Sequence, residues 1–495
     1  MPATSAIRSL TSAEKARYAE VRAGLRNGSL FAVTYGFDRR EQETWSDSST
    51  LMSSRCGCLR EHQISSALRS MIRENVEMCV TVTDGPKFAP VSRIEYDDVV
   101  RVIEFQTYKD EAIACHDGIP PYVARHILNK SKFEAGKPLW EVYIADGSMV
   151  IFHCHNVLFD LFAAGNFHVR FQQALQRCEK NEPHNETLFV YEGGPLQLPI
   201  DPDACSLPGV DVPYPASSPF VSFVKNVCRY ALKPFGALAS AVTPSLRLNR
   251  SSLGRKPFLL TLDKESLYGT TVSGYLNSKK LDSLLKLISK EEVCVRSFLC
   301  AITLLSLKPL IRNFDGSIAF SIPLDLRTES HKTTPFGFQS KRILVDCPLA
   351  LIDDRVFESL FNRPSEQRKT KLDKNSPKFS EGLLEYQFKR VTTHVMKSLT
   401  AQTSGDWTGK RKYSKCQLRK KKIIEINVVD MGTSPSARFQ IKNMNFTDSL
   451  GSETFMSLSC ALMRGVGMNM CMHYLERDSM DMFVDCFQTF LDELS

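Results

Sequence analysis

Long apolar runs are missing from this sequence. The longest, Phe298 to Leu307, is far shorter than the ~18–20 residues that a membrane-spanning helix needs. We therefore predict a buried helix in this segment rather than a membrane span. The stretch from Met1 to Ser12 also lacks the apolar segment and the cleavage site of a secretory signal. Both absences predict a cytoplasmic protein.

Metal-binding and nucleotide-binding patterns are also lacking. The 15 cysteines are odd in number and scattered, which argues against a disulfide framework and for reduced thiols. Cys56 and Cys58 are too close together for the usual zinc pair, and His153, Cys154 and His155 share one short segment without a second cysteine pair. No glycine-rich phosphate loop or serine elbow is present. We predict no metal cofactor.

The positive charge of the chain is confined to one segment. The net charge is +8, and eight basic residues fall within positions 410–422, so the remainder is close to neutral. Those residues are Lys410, Arg411, Lys412, Lys415, Arg419, Lys420, Lys421 and Lys422. Nucleic-acid binding needs a basic face rather than one loop, so we predict no nucleic-acid partner.

Length and composition indicate a globular protein of more than one domain. The chain has 495 residues, of which 43% are apolar and 24% charged. Strands and helices alternate in both halves, which predicts an α/β (α+β) protein with two similar-sized lobes and a ligand site between them. We place the first lobe at 1–192 and the second at 257–495. A proline-rich crossover at 193–256 separates them.

The clearest local pattern lies in the first lobe. Trp140 to Ile144 and Met149 to Cys154 read as two strands, joined by the turn signal Asp146-Gly147-Ser148. A helix follows Asp160, with apolar residues along one side. A polar turn between a strand and a helix exposes reactive side chains at the strand end, so this segment is the candidate site.

The segment from Ile151 to Asp160 resembles the active-site motif of the fungal alcohol acetyltransferases, which belong to the condensation-domain and chloramphenicol-acetyltransferase-like group. Other short motifs follow in the order of that family, and together they cover most of the chain. They are Pro138-Leu139-Trp140, Ile322-Pro323-Leu324-Asp325-Leu326-Arg327, Phe336-Gly337-Phe338, the basic tract ending at Lys422, and Met431-Gly432.

The resemblance implies transfer of an acetyl group from acetyl-CoA to the hydroxyl of an alcohol. It implies His155 as the general base and Asp160 as its motif partner, which holds the loop by pairing with an arginine, here Arg327. Asn156 would support the site. The resemblance further implies that the basic tract binds the phosphates of coenzyme A, through Arg419, Lys420, Lys421 and Lys422. Peripheral contact with the endoplasmic reticulum or lipid droplets is a further implication.

The motif departs from the family pattern in spacing. Four residues separate His155 from Asp160 where the family has three, so Asn156 occupies the position of the family histidine, and Leu161 replaces a glycine. Neighbouring strand residues point to opposite faces, which makes a shift of one residue a large change. Two alternatives to alcohol acetylation stay open. One is N-acetylation of a sphingoid base or another amine, and the other is a silent relative that binds acyl-CoA or lipid.

Overall fold

The computed structural model describes most of both halves of the chain. The described residues are 7–23, 28–37, 59–83, 85–103, 119, 121–130, 133–145, 147–178, 184, 186–194, 196, 198, 270–308, 316–327, 334–337, 339–352, 381–403, 422–433, 439–448, 454–474 and 480–494. The predicted crossover at 193–256 and the basic residues before Lys422 lie almost entirely outside them.

Strands and helices alternate along the described residues. The strands are β1 (Arg8–Ser9), β2 (Ser29–Phe37), β3 (Val80–Val82), β4 (Lys87–Pro90), β5 (Arg93–Glu95), β6 (Val100–Ile103), β7 (Trp140–Ala145), β8 (Met149–Cys154), β9 (Thr187–Val190), β10 (Thr270–Asn277), β11 (Ser317–Asp325), β12 (Ser340–Pro348), β13 (Lys422–Thr433), β14 (Phe439–Asp448), β15 (Thr454–Arg464) and β16 (Gly467–Tyr474). The helices are α1 (Ser12–Arg22), α2 (Glu61–Glu74), α3 (Tyr96–Val99), α4 (Pro121–Lys130), α5 (Leu161–Arg177), α6 (Ser278–Lys290), α7 (Val295–Leu307), α8 (Glu381–Thr403) and α9 (Met480–Leu494). Short 3₁₀ turns lie at Val76–Cys79 and Leu349–Leu351.

The first lobe is built on a five-stranded sheet in the order β14-β2-β8-β7-β6. All of its pairs are antiparallel except β6 with β7. The predicted hairpin is confirmed, since β7 and β8 pair from Trp140 opposite Cys154 to Ala145 opposite Met149. One edge strand, β14, comes from the second half of the chain and pairs with β2. The sheet of the first lobe therefore depends on residues more than 400 positions apart in sequence, such as Ser29 and Asp448.

The second lobe is built on a six-stranded sheet in the order β10-β16-β15-β13-β11-β12. Pairing is parallel between β11 and β13 and between β13 and β15, and antiparallel elsewhere. One face packs against α6, α7, α8 and α9 in a single apolar cluster, which includes Phe298, Phe320, Leu458 and Phe487. The predicted burial of the Phe298 to Leu307 segment is confirmed, and Phe483, Phe487, Phe490 and Leu491 of α9 pack in the same cluster.

The opposite face of this six-stranded sheet is polar and yet buried. Alternate residues of a strand point to opposite faces, so one set enters the apolar cluster and the other set lies on this second face. Its polar members are each at most 5% exposed. They are Ser321, Glu425, Asn427, Ser457, Ser459, Asn469 and His473. Part of this face packs against β14 of the first-lobe sheet, where Asn469 donates to the Met444 carbonyl and His473 to the Asp448 carbonyl.

The long helix α5 lies at the junction of the two lobes. Asp160 caps its first turn by accepting a hydrogen bond from the Ala163 N–H at 2.8 Å. The helix packs on the five-stranded sheet and also approaches β13 so closely that a Cβ on Gly165 would lie 2.7 Å from Val429. Glycine is therefore required at this position for the close approach between the lobes. Among the described residues, no helix is both long and apolar enough to cross a bilayer.

Candidate functional site

The candidate motif lies in a tight turn between β8 and α5. The N–H of His155 donates to the carbonyl of Leu139 at 2.9 Å, which continues the pairing of β8 with the chain before β7. The N–H groups of Leu158 and Phe159 both donate to the carbonyl of His155, at 3.2 Å each. These bonds fold the four residues between His155 and Asp160 into a compact turn, and they fix the two side chains in different environments.

Asp160 is buried and fully engaged in holding the turn. Its carboxylate accepts hydrogen bonds from the guanidinium of Arg327, at 2.9 Å and 3.3 Å, and from the Gln339 N–H at 3.0 Å. Its side chain is 2% exposed and that of Arg327 is 8% exposed. The structure thus brings together the pair that the resemblance implied, as a buried two-point ion pair rather than as a group open to substrate.

Arg327 also organises the second lobe around this pair. Its guanidinium donates to Asp325 at 2.8 Å and to the carbonyl oxygens of Gly337 at 2.5 Å and Thr334 at 3.2 Å. Because Asp160 begins α5 of the first lobe, this one side chain ties the two lobes together. The role of Arg327 that follows from these contacts is to position the lobes.

His155 lies in a closed, mostly apolar environment and is 2% exposed. Its Nδ1 accepts a hydrogen bond from the Val157 N–H at 3.0 Å. The neutral ring must therefore carry its proton on Nε2. Its ring lies 5.0 Å from that of Phe133 and 6.2 Å from that of Tyr18, centroid to centroid. Burial, together with the nearby His153, lowers the pKa of His155 to about 3.

Asn156, in the position of the family histidine, is part of a buried polar cluster. The hydroxyl of Ser29 lies 2.8 Å from Asn156 Oδ1 and 2.9 Å from Asp448 Oδ1, and it donates to one of them at a time. Asn156 Nδ2 lies 3.4 Å from the same Asp448 oxygen. The three residues meet because β2 pairs with β8 on one side and with β14 on the other, which places Ser29 opposite both Cys154 and Asp448.

The cluster continues onto the polar face of the second lobe. Asp448 lies 3.8 Å from the guanidinium of Arg342, which in turn lies 3.2 Å from Glu425. The Glu425 carboxylate also accepts a hydrogen bond from Thr454 at 3.0 Å. His473 Nδ1 lies 3.1 Å from the backbone carbonyl oxygen of Asp448. Because a carbonyl oxygen can only accept, Nδ1 carries the proton and donates it in this bond. The neutral His473 ring therefore has Nε2 as its acceptor nitrogen.

The sequence did not point to most of this cluster. Ser29, Arg342, Glu425, Asp448 and His473 belong to no short motif, and the partners Ser29 and Asp448 are 419 positions apart. One signal in the sequence could have indicated part of this cluster. Polar residues alternate with apolar ones along β13 and β16, and a polar residue that is buried in a core strand is informative. Only the pairing of β14 with β2 shows where these residues meet.

The predicted coenzyme A contacts fall at the edge of the described residues. Arg419, Lys420 and Lys421 lie outside them, and Lys422 is the first residue of β13, where its backbone pairs opposite Ile318. Among the described residues, no three His, Cys, Asp or Glu side chains lie together in a way that could hold a metal ion.

The variant Asn156→Asp tests the buried polar cluster of Ser29, Asn156 and Asp448 directly. We expect Asn156→Asp to lower the free energy of unfolding at neutral pH by ~1–3 kcal/mol, because two buried carboxylates would then share one site beside Ser29. Urea unfolding checks this. The matched control is Asn277→Asp, at the start of α6, where Asn277 accepts the Lys280 N–H at 3.0 Å and aspartate caps equally well. Equal effects of the two changes would contradict the buried cluster.

Comparison with solved structures identifies the fold. The chain resembles the first condensation domain of the calcium-dependent antibiotic synthetase, with a TM-score of 0.54 and 12% identity, over 99% of this chain and 97% of that one. It resembles equally the starter condensation domain of rhizomide synthetase in complex with C8-CoA and Leu-SNAC, with a TM-score of 0.53, 11% identity and coverage of 99% and 94%. The protein therefore has the two-lobed α/β fold of condensation domains, as predicted.

Sequence comparison gives a narrower assignment. No family model matches the chain. PSTB2-interacting protein 1 of Saccharomyces cerevisiae is 33% identical over 519 aligned positions, which cover 98% of this chain and 99% of the yeast protein. The chain belongs to the family of this yeast protein. The name of this relative does not describe an alcohol acetyltransferase, so this comparison does not support the prediction of acetyl transfer.

Proposed function

We propose that this chain is a binding protein that uses the condensation fold without transferring an acyl group. The observation that carries the proposal is the state of the motif. His155 is buried with Nδ1 occupied by a backbone N–H, and Asn156 stands in the position of the family histidine. An amide has no basic nitrogen at neutral pH, and so Asn156 cannot take a proton from an attacking hydroxyl.

The chemistry of a general base supports this choice over an active His155. A base must present an unprotonated nitrogen to the substrate, with a pKa near the working pH. The lone pair of His155 is directed at Val157 N–H, its second nitrogen carries the proton, and its pKa is about 3. His155 is better suited to fixing the turn that holds Asp160 and α5.

A protein partner is the main element of the proposed function. The yeast relative is named for its interaction with PSTB2, and the similarity to it extends over 98% of this chain. We infer that this chain binds a protein of the same kind. Co-purification and calorimetry with the PSTB2 counterpart from the same organism test this. A 1:1 complex supports the inference, and the absence of binding at micromolar concentrations of both folded proteins refutes it.

A ligand between the lobes is the second element. A condensation domain of the same fold has been solved with C8-CoA. We propose that an acyl-CoA or a related lipid binds between the two lobes, with Arg419, Lys420, Lys421 and Lys422 near the phosphates. A ligand that binds only the folded protein raises the melting temperature. At a free concentration of 100 times its Kd, it raises the free energy of unfolding by about 2.7 kcal/mol. Charge reversal at Lys420 to Lys422 should reduce that shift.

We also propose the division of the chain into a first lobe at 1–192, a crossover at 193–256 and a second lobe at 257–495, from which β14 extends to complete the sheet of the first lobe. The location that we propose is the cytosolic side of the endoplasmic reticulum or of lipid droplets, with peripheral attachment. Extraction of the protein from membranes by carbonate supports peripheral attachment. Resistance to carbonate contradicts it.

Acetyl transfer from acetyl-CoA to an alcohol or an amine is the second candidate, and one observation favours it. His473 holds its Nδ1 proton on the carbonyl of Asp448, so Nε2 is the basic nitrogen of a ring adjoining the Asn156 cluster. In an enzyme, His473 would be the histidine to test as the base, because the nitrogen that carries its proton is Nδ1, whereas Nδ1 of His155 accepts a backbone N–H.

Purified protein with acetyl-CoA and a panel of alcohols and long-chain amines separates the two candidates. We expect no release of free thiol above the rate without protein, and no effect of His155→Ala, because the motif lacks a usable base. The triple variant His155→Asn, Asn156→His, Leu161→Gly rebuilds the family order and should raise the rate. Turnover by the wild type that falls by ~10²–10⁴-fold in His473→Ala would refute the binding-protein proposal and support an enzyme.

A further inference from the structure

A cleft lies beside the Asp160–Arg327 pair, and none of its lining residues belongs to the Asn156 cluster. It has a volume of about 600 Å³ and is formed by the end of α2, the turn Val76–Cys79, β9 and the segment at Thr334 and Pro335. This volume is in the range of small-molecule sites, ~300–1,000 Å³. Its apolar lining residues are Ile72, Val76, Phe189, Leu196 and Pro335.

Polar residues line the rest of the cleft, namely Arg73, Glu74, Asn75, Glu77 and Thr334, and the carboxylate of Glu77 is buried. Glu77 lines the cleft and is 2% exposed, and its Oε1 has no hydrogen-bond partner among the described residues. The Thr334 side chain hydrogen-bonds to the same carboxyl group. Burial raises the pKa of Glu77, although the bonds from Thr334 and from the backbone N–H of Glu77 itself, and the positive charge of Arg327, oppose this effect.

The burial of the Glu77 carboxylate is not explained by a contribution to the stability of the folded protein. Burying an ionised carboxylate is costly unless it is paired and hydrogen-bonded. Among the described residues Arg327 contributes its charge, but its guanidinium is already bonded to Asp160 and Asp325. A buried group that stays incompletely satisfied in the folded protein is suited to a ligand that completes its bonding.

We propose that this cleft binds a primary amine carried on a short apolar body, with the ammonium group on the Glu77 carboxylate. An ammonium group supplies three donors and a positive charge, which are what a buried carboxylate lacks. The Thr334 hydroxyl donates to this carboxylate and accepts from the Gly337 N–H at 3.0 Å, which holds the carboxylate in place, and the apolar part of the lining accommodates the hydrocarbon. This site is independent of the function proposed above, since none of its lining residues belongs to the Asn156 cluster.

Calorimetric titration of the full chain with n-hexylamine tests the proposal, with 1-hexanol as the uncharged probe of the same length. We expect saturable binding of the amine, and binding of the alcohol weaker by ~10–100-fold, as is typical for a charge-assisted bond replaced by a neutral one. Glu77→Gln keeps the shape and removes the charge, so it should weaken amine binding by a similar factor. Because it removes a buried charge, this variant should melt at or above the wild-type temperature.

The matched control is Glu74→Gln on the rim of the same cleft. Glu74 is exposed and is paired with Arg177 at 2.9 Å, so its replacement should change the affinity for the amine by less than ~2-fold. Equal binding of amine and alcohol, equal effects of the two variants, or no saturable binding of the amine to folded wild-type protein would each overturn the proposal.

Discussion

Replacing Arg327 with alanine should lower the free energy of unfolding by ~3–5 kcal/mol, which is the usual cost of leaving a buried charge without its partner. The change removes the two-point pairing with Asp160 and the bonds to Asp325 and to the carbonyl oxygens of Gly337 and Thr334. Because these contacts join α5 of the first lobe to the second lobe, the loss should affect both lobes. Urea unfolding followed by circular dichroism measures it.

Two further variants make this expectation specific. Arg177→Ala removes an ion pair with Glu74 whose side chains are 57% and 40% exposed, and such surface pairs contribute only ~0–1 kcal/mol. Arg327→Lys keeps the charge but loses the two-point geometry, so it should fall between wild type and Arg327→Ala. An Arg327→Ala loss no larger than that of Arg177→Ala would show that the Asp160–Arg327 pair does not hold the lobes together.

Acidification from neutral pH to about pH 5 should destabilise the protein by ~2 kcal/mol for each of two buried histidines. Burial lowers the folded-state pKa of both His155 and His168 to about 3, from the ordinary value of 6.5. Between those two values only the unfolded state binds the protons. The stability is therefore complete above about pH 6.5 and is lost progressively as the pH falls toward 3.

Single replacements separate the two contributions. His168 donates from Nε2 to the Phe31 carbonyl at 2.8 Å, so His168→Gln keeps a donor while removing the titration. His155 accepts the Val157 N–H at Nδ1, so His155→Gln keeps an acceptor, the amide oxygen, and also removes the titration. Each variant should show a shallower fall of the unfolding free energy between about pH 7 and pH 5, by ~2 kcal/mol. The same slope in wild type and in both variants would show that neither ring is held neutral by burial.

Several features of the fold followed from local patterns in the sequence. The two short strand segments and the turn at 146–148 predicted the hairpin of β7 and β8, and the apolar run from Phe298 to Leu307 predicted the buried helix α7. Such features depend on residues close in sequence, because helix and strand periods repeat within a few positions. The resemblance predicted an arginine partner for Asp160, and in the structure Arg327 forms an ion pair with Asp160.

The sequence by itself determined the two-lobed α/β class, the turn between β8 and α5, and the presence of an asparagine where the family has a histidine. Only the tertiary structure decided what that asparagine does. Strand β14 crosses into the first lobe and brings Asp448 beside Ser29 and Asn156, while Val157 N–H turns His155 into a buried hydrogen-bond acceptor. Neither contact has a periodic signal, because pairing between distant strands is set by the packing of the whole core rather than by neighbouring residues.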